Sequence, residues 1–234
     1  MENNISFHKF SHHVCCIATA LLVLFAACNN MEKNGGDQNV FIPSDPVQDT
    51  DGEVYKTVRI GHQTWMAENL KKTKIECDSN WQVRFANGIE RGPGVTFCDD
   101  TPRYAYYQNN QKLGWGVLYS HAVLQHCDIC PPGYRVPSKE DWEILMKQLG
   151  GPSNAGKHLL TYEPGGFNAL LGGRIDSYGS VLGGRMAFWW SADLDSIHPD
   201  KRQHAFLFVL SSSGVVKISN DPTYSGNSIR CVKK

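Results

Sequence analysis

Four residues between positions 121 and 130 carry the most chemical potential in the chain: His121, His126, Cys127 and Cys130 form its densest set of possible metal ligands. A soft Cys/His set suits zinc. Against zinc, neighbouring thiols in an exported chain tend toward disulfides, and histidines five residues apart lie about 140° apart around a helix. A structural role is the better expectation, and no metal or other cofactor is anticipated. Cys127-Asp-Ile-Cys130 has the spacing of a redox pair, but such a pair normally opens a helix whose N-terminus lowers the thiol pKa, and here Pro131-Pro132-Gly133 follows. Asp49-Thr-Asp-Gly52 begins like a calcium loop yet lacks the later acids, so it reads as the turn before a strand. There is no Gly-x-Ser-x-Gly elbow, no carboxylate pair stands out from surface charge, and Ser211-Ser-Ser-Gly214 reads as a hairpin turn. No enzymatic activity is expected from this inventory.

Aromatic residues lean toward binding. Trp81, Tyr104, Tyr106, Tyr107, Trp115, Tyr119, Trp189 and Trp190 are spread over predicted loops and strand ends. Trp81, Arg84, Tyr104, Tyr106 and Tyr107 are the candidate ligand contacts, because they combine flat apolar faces with polar tips and charge in a segment, 76–114, where loops tolerate change. Aromatics that merely cover a sheet edge explain the same residues equally well. Trp65, Trp142 and at least one of Trp189 and Trp190 lie on apolar periodic elements and are expected in the core.

Cys28 belongs to a different chemistry. A polar stretch with Lys9, His12 and His13 precedes an apolar run from Val14 to Ala27. A helix rises about 1.5 Å per residue and the bilayer core is about 30 Å thick, so this run is too short to span and reads as a signal segment, residues 1–27. It ends in Leu24-Phe25-Ala26-Ala27-Cys28, which resembles the lipobox of bacterial lipoproteins; that resemblance implies cleavage before Cys28 and lipidation of its thiol. An ordinary secretory signal cut after Ala27 fits the same residues. Both readings put the domain outside the cytoplasm; the first implies a membrane partner in the cell envelope, and Asn29-Asn30, without the Asp that retains some lipoproteins at an inner membrane, gives the outer membrane as the expected address. Removing residues 1–27 takes one acid, Glu2, and one base, Lys9, from the 23 of each, so 22 of each remain. That neutrality, with dispersed Lys and Arg, argues against nucleic acid as a partner.

Residues 28–49 hold few large apolar side chains and read as a flexible tether, leaving 50–234 as one domain. Val54 to Ile60 alternates as a strand, breaks at Gly61-His62 and returns through Gln63–Met66, a hairpin. Ser138 can cap a helix with Glu140 and Asp141 in its first turn, and Trp142, Leu145, Met146 and Leu149 make one apolar stripe that stops at Gly150-Gly151-Pro152. Phe167–Leu171, Phe188–Ser191, Ala205–Leu210, Val215–Ile218 and Ile229–Val232 are expected as strands of a largely antiparallel sheet. Leu171-Gly-Gly-Arg174 and Leu182-Gly-Gly-Arg185 echo each other as similar strand ends.

Asp51-Gly-Glu-Val-Tyr-Lys-Thr-Val58, Ile60-Gly-His-Gln-Thr-Trp-Met-Ala-Glu-Asn-Leu70, Cys130-Pro-Pro-Gly-Tyr-Arg-Val-Pro-Ser138, Trp189-Trp-Ser191 and Ile229-Arg-Cys-Val232 together resemble the Fibrobacter succinogenes major paralogous domain family over about residues 50–234. The chain departs from it at 76–100, an Asn- and Gly-rich segment with Cys77 and Cys98, and at Ser120-His121, where aromatics are more usual. Arg135-Val-Pro-Ser-Lys-Glu-Asp-Trp142 also resembles a helix-start motif of formylglycine-generating-enzyme-like proteins. The resemblance implies an α+β fold of C-type-lectin-like kind, a twisted antiparallel sheet with one or two flanking helices and both ends close together. Tyr162-Glu-Pro-Gly165 is only weakly similar to the Glu-Pro-Asn of calcium-dependent sugar lectins, and no Trp-Asn-Asp follows to complete such a site. By analogy with the long disulfide of lectin-like folds, Cys130–Cys231 is expected; Cys77–Cys98 would close the Gly-rich segment, leaving Cys127 free, although connectivity does not follow from spacing alone.

Three functions remain open at this point. One is a non-catalytic module that binds a glycan or protein at the cell envelope. The second is an oxidase related to formylglycine generators, and the third a structural component of a surface assembly. Fold alone does not choose among them.

Overall fold

The computed structural model describes residues 40–78, 80–86, 99, 101–196 and 203–234; the signal segment, Cys28 and Cys98 lie outside these. In chain order the elements are strands β1 (Ile42–Gln48), β2 (Val54–Ile60), β3 (Gln63–Met66), β4 (Arg84–Phe85), β5 (Arg103–Ala105) and β6 (Leu118–Tyr119), helix α1 (His121–His126), strand β7 (Tyr134–Arg135), and helices α2 (Lys139–Gln148) and α3 (Pro152–Leu160). Strands β8 (Arg174–Asp176), β9 (Gly179–Val181), β10 (Met186–Asp195), β11 (His204–Ser211), β12 (Val216–Pro222) and β13 (Val232–Lys233) complete them. The class is α+β: every sheet pairing is antiparallel except β4 with β5.

The chain enters its sheet earlier than composition suggests. Residues 42–48 are not tether but strand β1, paired with β2 from Ile42 opposite Arg59 to Gln48 opposite Val54. Pro43 and Pro46 disguise it, since proline cannot donate to a ladder. The strand tolerates them because it is the edge of a five-stranded sheet in the order β1-β2-β3-β13-β7. Phe41, just ahead, is buried in the core, so the folded domain begins near residue 40 rather than 50. The β2–β3 hairpin turns at Gly61-His62 as expected. At the other end of β2's approach, Asp49 Oδ1 accepts from the amides of Asp51 (2.9 Å) and Glu53 (3.0 Å), which makes Asp49–Gly52 the anticipated turn.

Helix α2 starts where Ser138 and Asp141 form a reciprocal capping box: the Ser138 hydroxyl accepts from the Asp141 amide at 3.1 Å, and Asp141 accepts from the Ser138 amide. Its stripe of Trp142, Leu145, Met146 and Leu149 is buried. Helix α3 follows after the Gly150-Gly151 break, with Pro152 at its start.

The sheet β10-β11-β12 divides the interior because side chains alternate across a strand. Ala187, Trp189, Phe208 and Leu210 face one cluster with Trp65, Trp142 and Phe167, whereas Phe188, Trp190, Leu207 and Val209 face a second with Tyr55, Met66, Tyr119 and Val123. Trp142 stacks on Phe208 at 4.7 Å between ring centres, and Trp65 lies 4.6 Å from Trp142. The last segment threads between the sheets: carbonyls of Asn227, Ser228, Ile229 and Cys231 accept from the amides of Tyr119, Trp190, Leu70 and Met66. Of the strand expected over Ile229–Val232, only Val232 is regular, in the short β13.

Two further expectations need correction. Phe167–Leu171 is not a strand, because Asn168 adopts a left-handed backbone (φ 51°) and its side chain ties the loop, accepting from the Glu163 amide at 3.0 Å and donating to the Glu163 carbonyl at 3.0 Å. Among the cysteines, Cys130–Cys231 is present, but Cys77 bonds to Cys127 and not to Cys98, so Cys127 is not free. The reason is local pairing: the Asp78 amide donates to the His126 carbonyl at 2.9 Å and the Asp128 amide to the Glu76 carbonyl at 3.2 Å, which sets Cys77 opposite Cys127.

Candidate functional site

The Cys/His set does not converge. His121 is buried, with Nε2 3.0 Å from the Ser191 carbonyl and its ring edge-on to Trp190 at 5.3 Å. Burial away from water pulls its pKa down to about 4, only partly offset by Ser191 and Asp193, so it is a neutral, aromatic-like core residue. His126 instead stacks on Trp81 at 4.3 Å. Among the described residues no three His, Cys, Asp or Glu side chains gather as a metal site.

The five aromatic and basic candidates separate into distinct places. Trp81, 37% exposed, and Arg84 share a shallow depression of about 330 Å³ with Asn80, Gln82 and Thr101. Tyr104 pairs edge-to-face with Phe85 at 5.6 Å in the β4–β5 region. Tyr107 serves packing: its ring lies where a Cβ on Gly173 or Gly183 would stand within 2.6 Å or 2.4 Å of it, and its hydroxyl accepts from the Gly183 amide at 3.0 Å. The Leu-Gly-Gly-Arg echo therefore forms a cradle for one tyrosine. Tyr106 opens elsewhere, into a small cavity of about 130 Å³ with Gln111, Gly116 and Val117.

That small cavity adjoins the larger cleft through Lys71 and Gly114, which line both. The cleft holds about 410 Å³, within the usual range for ligand sites. One wall is the segment after β3, Ala67 to Lys71, with Lys56 of β2 beside it; the other is Leu160, Tyr162 and Asn168 to Leu170. Tyr162 is 83% exposed at the rim. Lys71 bridges Glu68 (2.8 Å) and Glu53 (2.9 Å); burial works against its charge, but those two bonds outweigh it and hold its pKa up.

Arg230 fixes the two walls to each other from behind. It is fully buried, donates from Nη2 (2.9 Å) and Nε (3.2 Å) to Asn69 Oδ1, and donates from Nη1 to the Phe167 carbonyl. Its guanidinium also lies 4.1 Å over the Phe167 ring. Asn69 Oδ1 takes a further bond from Trp189 Nε1 at 2.8 Å, and its amide donates to the Trp115 carbonyl at 2.9 Å. Burial pulls the Arg230 pKa down to about 9, which still leaves it charged at neutral pH. The cleft thus offers a ligand an aromatic face and ammonium groups, on walls held by the engaged carboxamides of Asn69 and Asn168.

Of the candidate contacts singled out from sequence, Tyr106 lines the small cavity that adjoins this cleft; Lys56, Lys71, Tyr162 and Asn168 were not among them. The Tyr162-Glu-Pro-Gly-Gly166 turn was the available signal, since a tyrosine next to a turn of that kind has nowhere to bury its ring.

With this geometry in hand, comparison with known proteins gives one assignment. The Fibrobacter succinogenes major domain matches residues 58–233, three quarters of the chain, and the protein belongs to that family. No curated protein and no solved structure matches it.

Proposed function

We propose that the protein is a cell-envelope lipoprotein, anchored through Cys28 in the outer membrane, whose domain is a non-catalytic module that binds a glycan in the cleft between Lys56, Lys71 and Tyr162. The observation that carries this is the cleft itself: an open concavity of about 410 Å³ with an exposed tyrosine ring and the ammonium groups of Lys56 and Lys71 along its lining. A pyranose ring presents C–H groups on one face and hydroxyls around its edge. An exposed aromatic face covers the first, and the ammonium groups of Lys56 and Lys71 donate to the second.

A C-type-lectin-like reading of the fold accords with this. The last strand, β13, lies inside the first sheet between β3 and β7, and the Cys130–Cys231 bond ties the helix approach to the chain's end. The oxidase reading has less behind it, because all four described cysteines are consumed in disulfides. No helix among the described residues is long and apolar enough to cross a membrane, so attachment in this proposal rests on the lipid.

The test is glycan-array binding by the purified full chain and its Tyr162→Ala and Tyr106→Ala variants. Retention of a glycan by the wild type, lost in either variant at an unchanged melting temperature, is the expected result. Binding that neither substitution alters would move the site elsewhere, with the Trp81 depression the next place to look.

A further inference from the structure

The charge around the cleft is lopsided. Its lining carries Lys56, Lys71 and Glu68. Glu68 is already bonded to Lys71 at 2.8 Å and accepts from the Lys56 backbone amide at 3.4 Å, so it has little left for a cationic ligand. The Lys56 ammonium has no ion-pair partner among the described residues. Behind the floor lies a third cation: Arg230 touches Asn69 and the Phe167 carbonyl, both neutral, and no described carboxylate is within ion-pair distance of it. Glu68 acts on this buried guanidinium from beyond ion-pair distance, and the rest of its surroundings are dipoles and aromatic faces, so part of its field is felt through the wall of Asn69. Three cations, Lys56, Lys71 and Arg230, thus face two carboxylates, Glu53 and Glu68, which leaves one positive charge over.

We infer that the cleft takes a carboxylate-bearing carbohydrate, an oligouronate in chemical class, with its acid group toward the Lys56 and Lys71 side and its ring against Tyr162. This rests on the glycan-binding reading above and narrows it. An acidic peptide would satisfy the ammonium groups too, but it would leave the open ring of Tyr162 without a matching apolar face, so the sugar is favoured.

The experiment is calorimetric titration of the purified full chain with oligouronates of several linkages, with the same oligomers after carboxyl reduction to neutral sugars, and with a glutamate oligopeptide. At least one oligouronate should bind about tenfold more tightly than its reduced counterpart, the gain expected of two partly exposed charge contacts. Its affinity should fall as salt is raised, and Lys56→Gln should remove most of the difference between the acidic oligomer and its reduced counterpart. Equal binding of acidic and reduced oligomers would overturn the charge assignment and leave glycan binding standing. Glutamate peptide binding that matches the oligouronate and ignores Tyr162→Ala would overturn the sugar assignment, and no binding by any oligosaccharide would overturn both.

Discussion

His121 shows how a residue type can mislead when its surroundings are unknown. In the sequence it reads as a metal ligand or a departure from an aromatic position; in the fold it behaves as the aromatic, edge-on to Trp190. Because its folded pKa, about 4, lies below the ordinary value of 6.5, the unfolded chain binds the extra proton first as pH falls. Stability should therefore be complete above pH 6.5 and decline between 6.5 and 4, by roughly 3 kcal/mol at most. Burial raises the Asp221 carboxyl pKa, against the pull of Arg174, and this works in the opposite sense toward the acid end of that window. Comparison with His121→Gln cancels that contribution. Urea unfolding at several pH values should show a slope in the wild type that is absent in the variant; parallel slopes would mean that His121 is not buried as a neutral ring. Such environments are invisible to spacing. Trp142 and Leu145 were legible as core from their stripe, but nothing local marks Arg230 as buried, since its partners Asn69 and Phe167 lie 161 and 63 positions away.

Among the elements, those specified by local chemistry were legible and those specified by partners were not. The Ser138–Asp141 cap, the stripe of α2 and the β2–β3 hairpin are written in consecutive residues, and the sequence reading finds all three. Strand β1 was lost because its prolines forbid a central strand but not an edge, and edge status depends on what lies beside it. Helix α3 carries Gly156 in the middle of its pattern, which obscures it in the sequence, and that glycine has a tertiary reason. A Cβ there would stand 1.9 Å from the Gly214 carbonyl, in the turn between β11 and β12. Gly156→Ala, favourable by helix propensity alone, should instead destabilise the fold by roughly 2–4 kcal/mol, because backbone must give way. A thermal melt decides it, and an unchanged or raised Tm would show that the helix and the turn are not in contact.

For the molecule as a whole, the two disulfides lock pairings that the backbone also makes, β7 beside β13 and residues 76–78 beside 126–128. The Cys130–Cys231 bond closes 101 positions and Cys77–Cys127 closes 50, for which loop entropy gives about 4.7 and about 4 kcal/mol as upper figures. Non-reducing peptide mapping should recover these two linked pairs, and a Cys77–Cys98 peptide would contradict the fold. Reduction should lower Tm markedly while Cys77→Ser with Cys127→Ser should spare the core and loosen the segment bearing Trp81. The anchor is tested separately: a fatty-acid probe should label the wild type, and Cys28→Ala should lose the label and partition as soluble protein.

The early start of β1 also sets a leash length. Between Cys28 and Val40, which packs on the core, only eleven residues intervene. Even fully drawn out they reach at most roughly 40 Å. If, as proposed, Cys28 sits in a bilayer and the cleft binds a glycan, that glycan is held close to the lipid headgroups rather than fished from a distance.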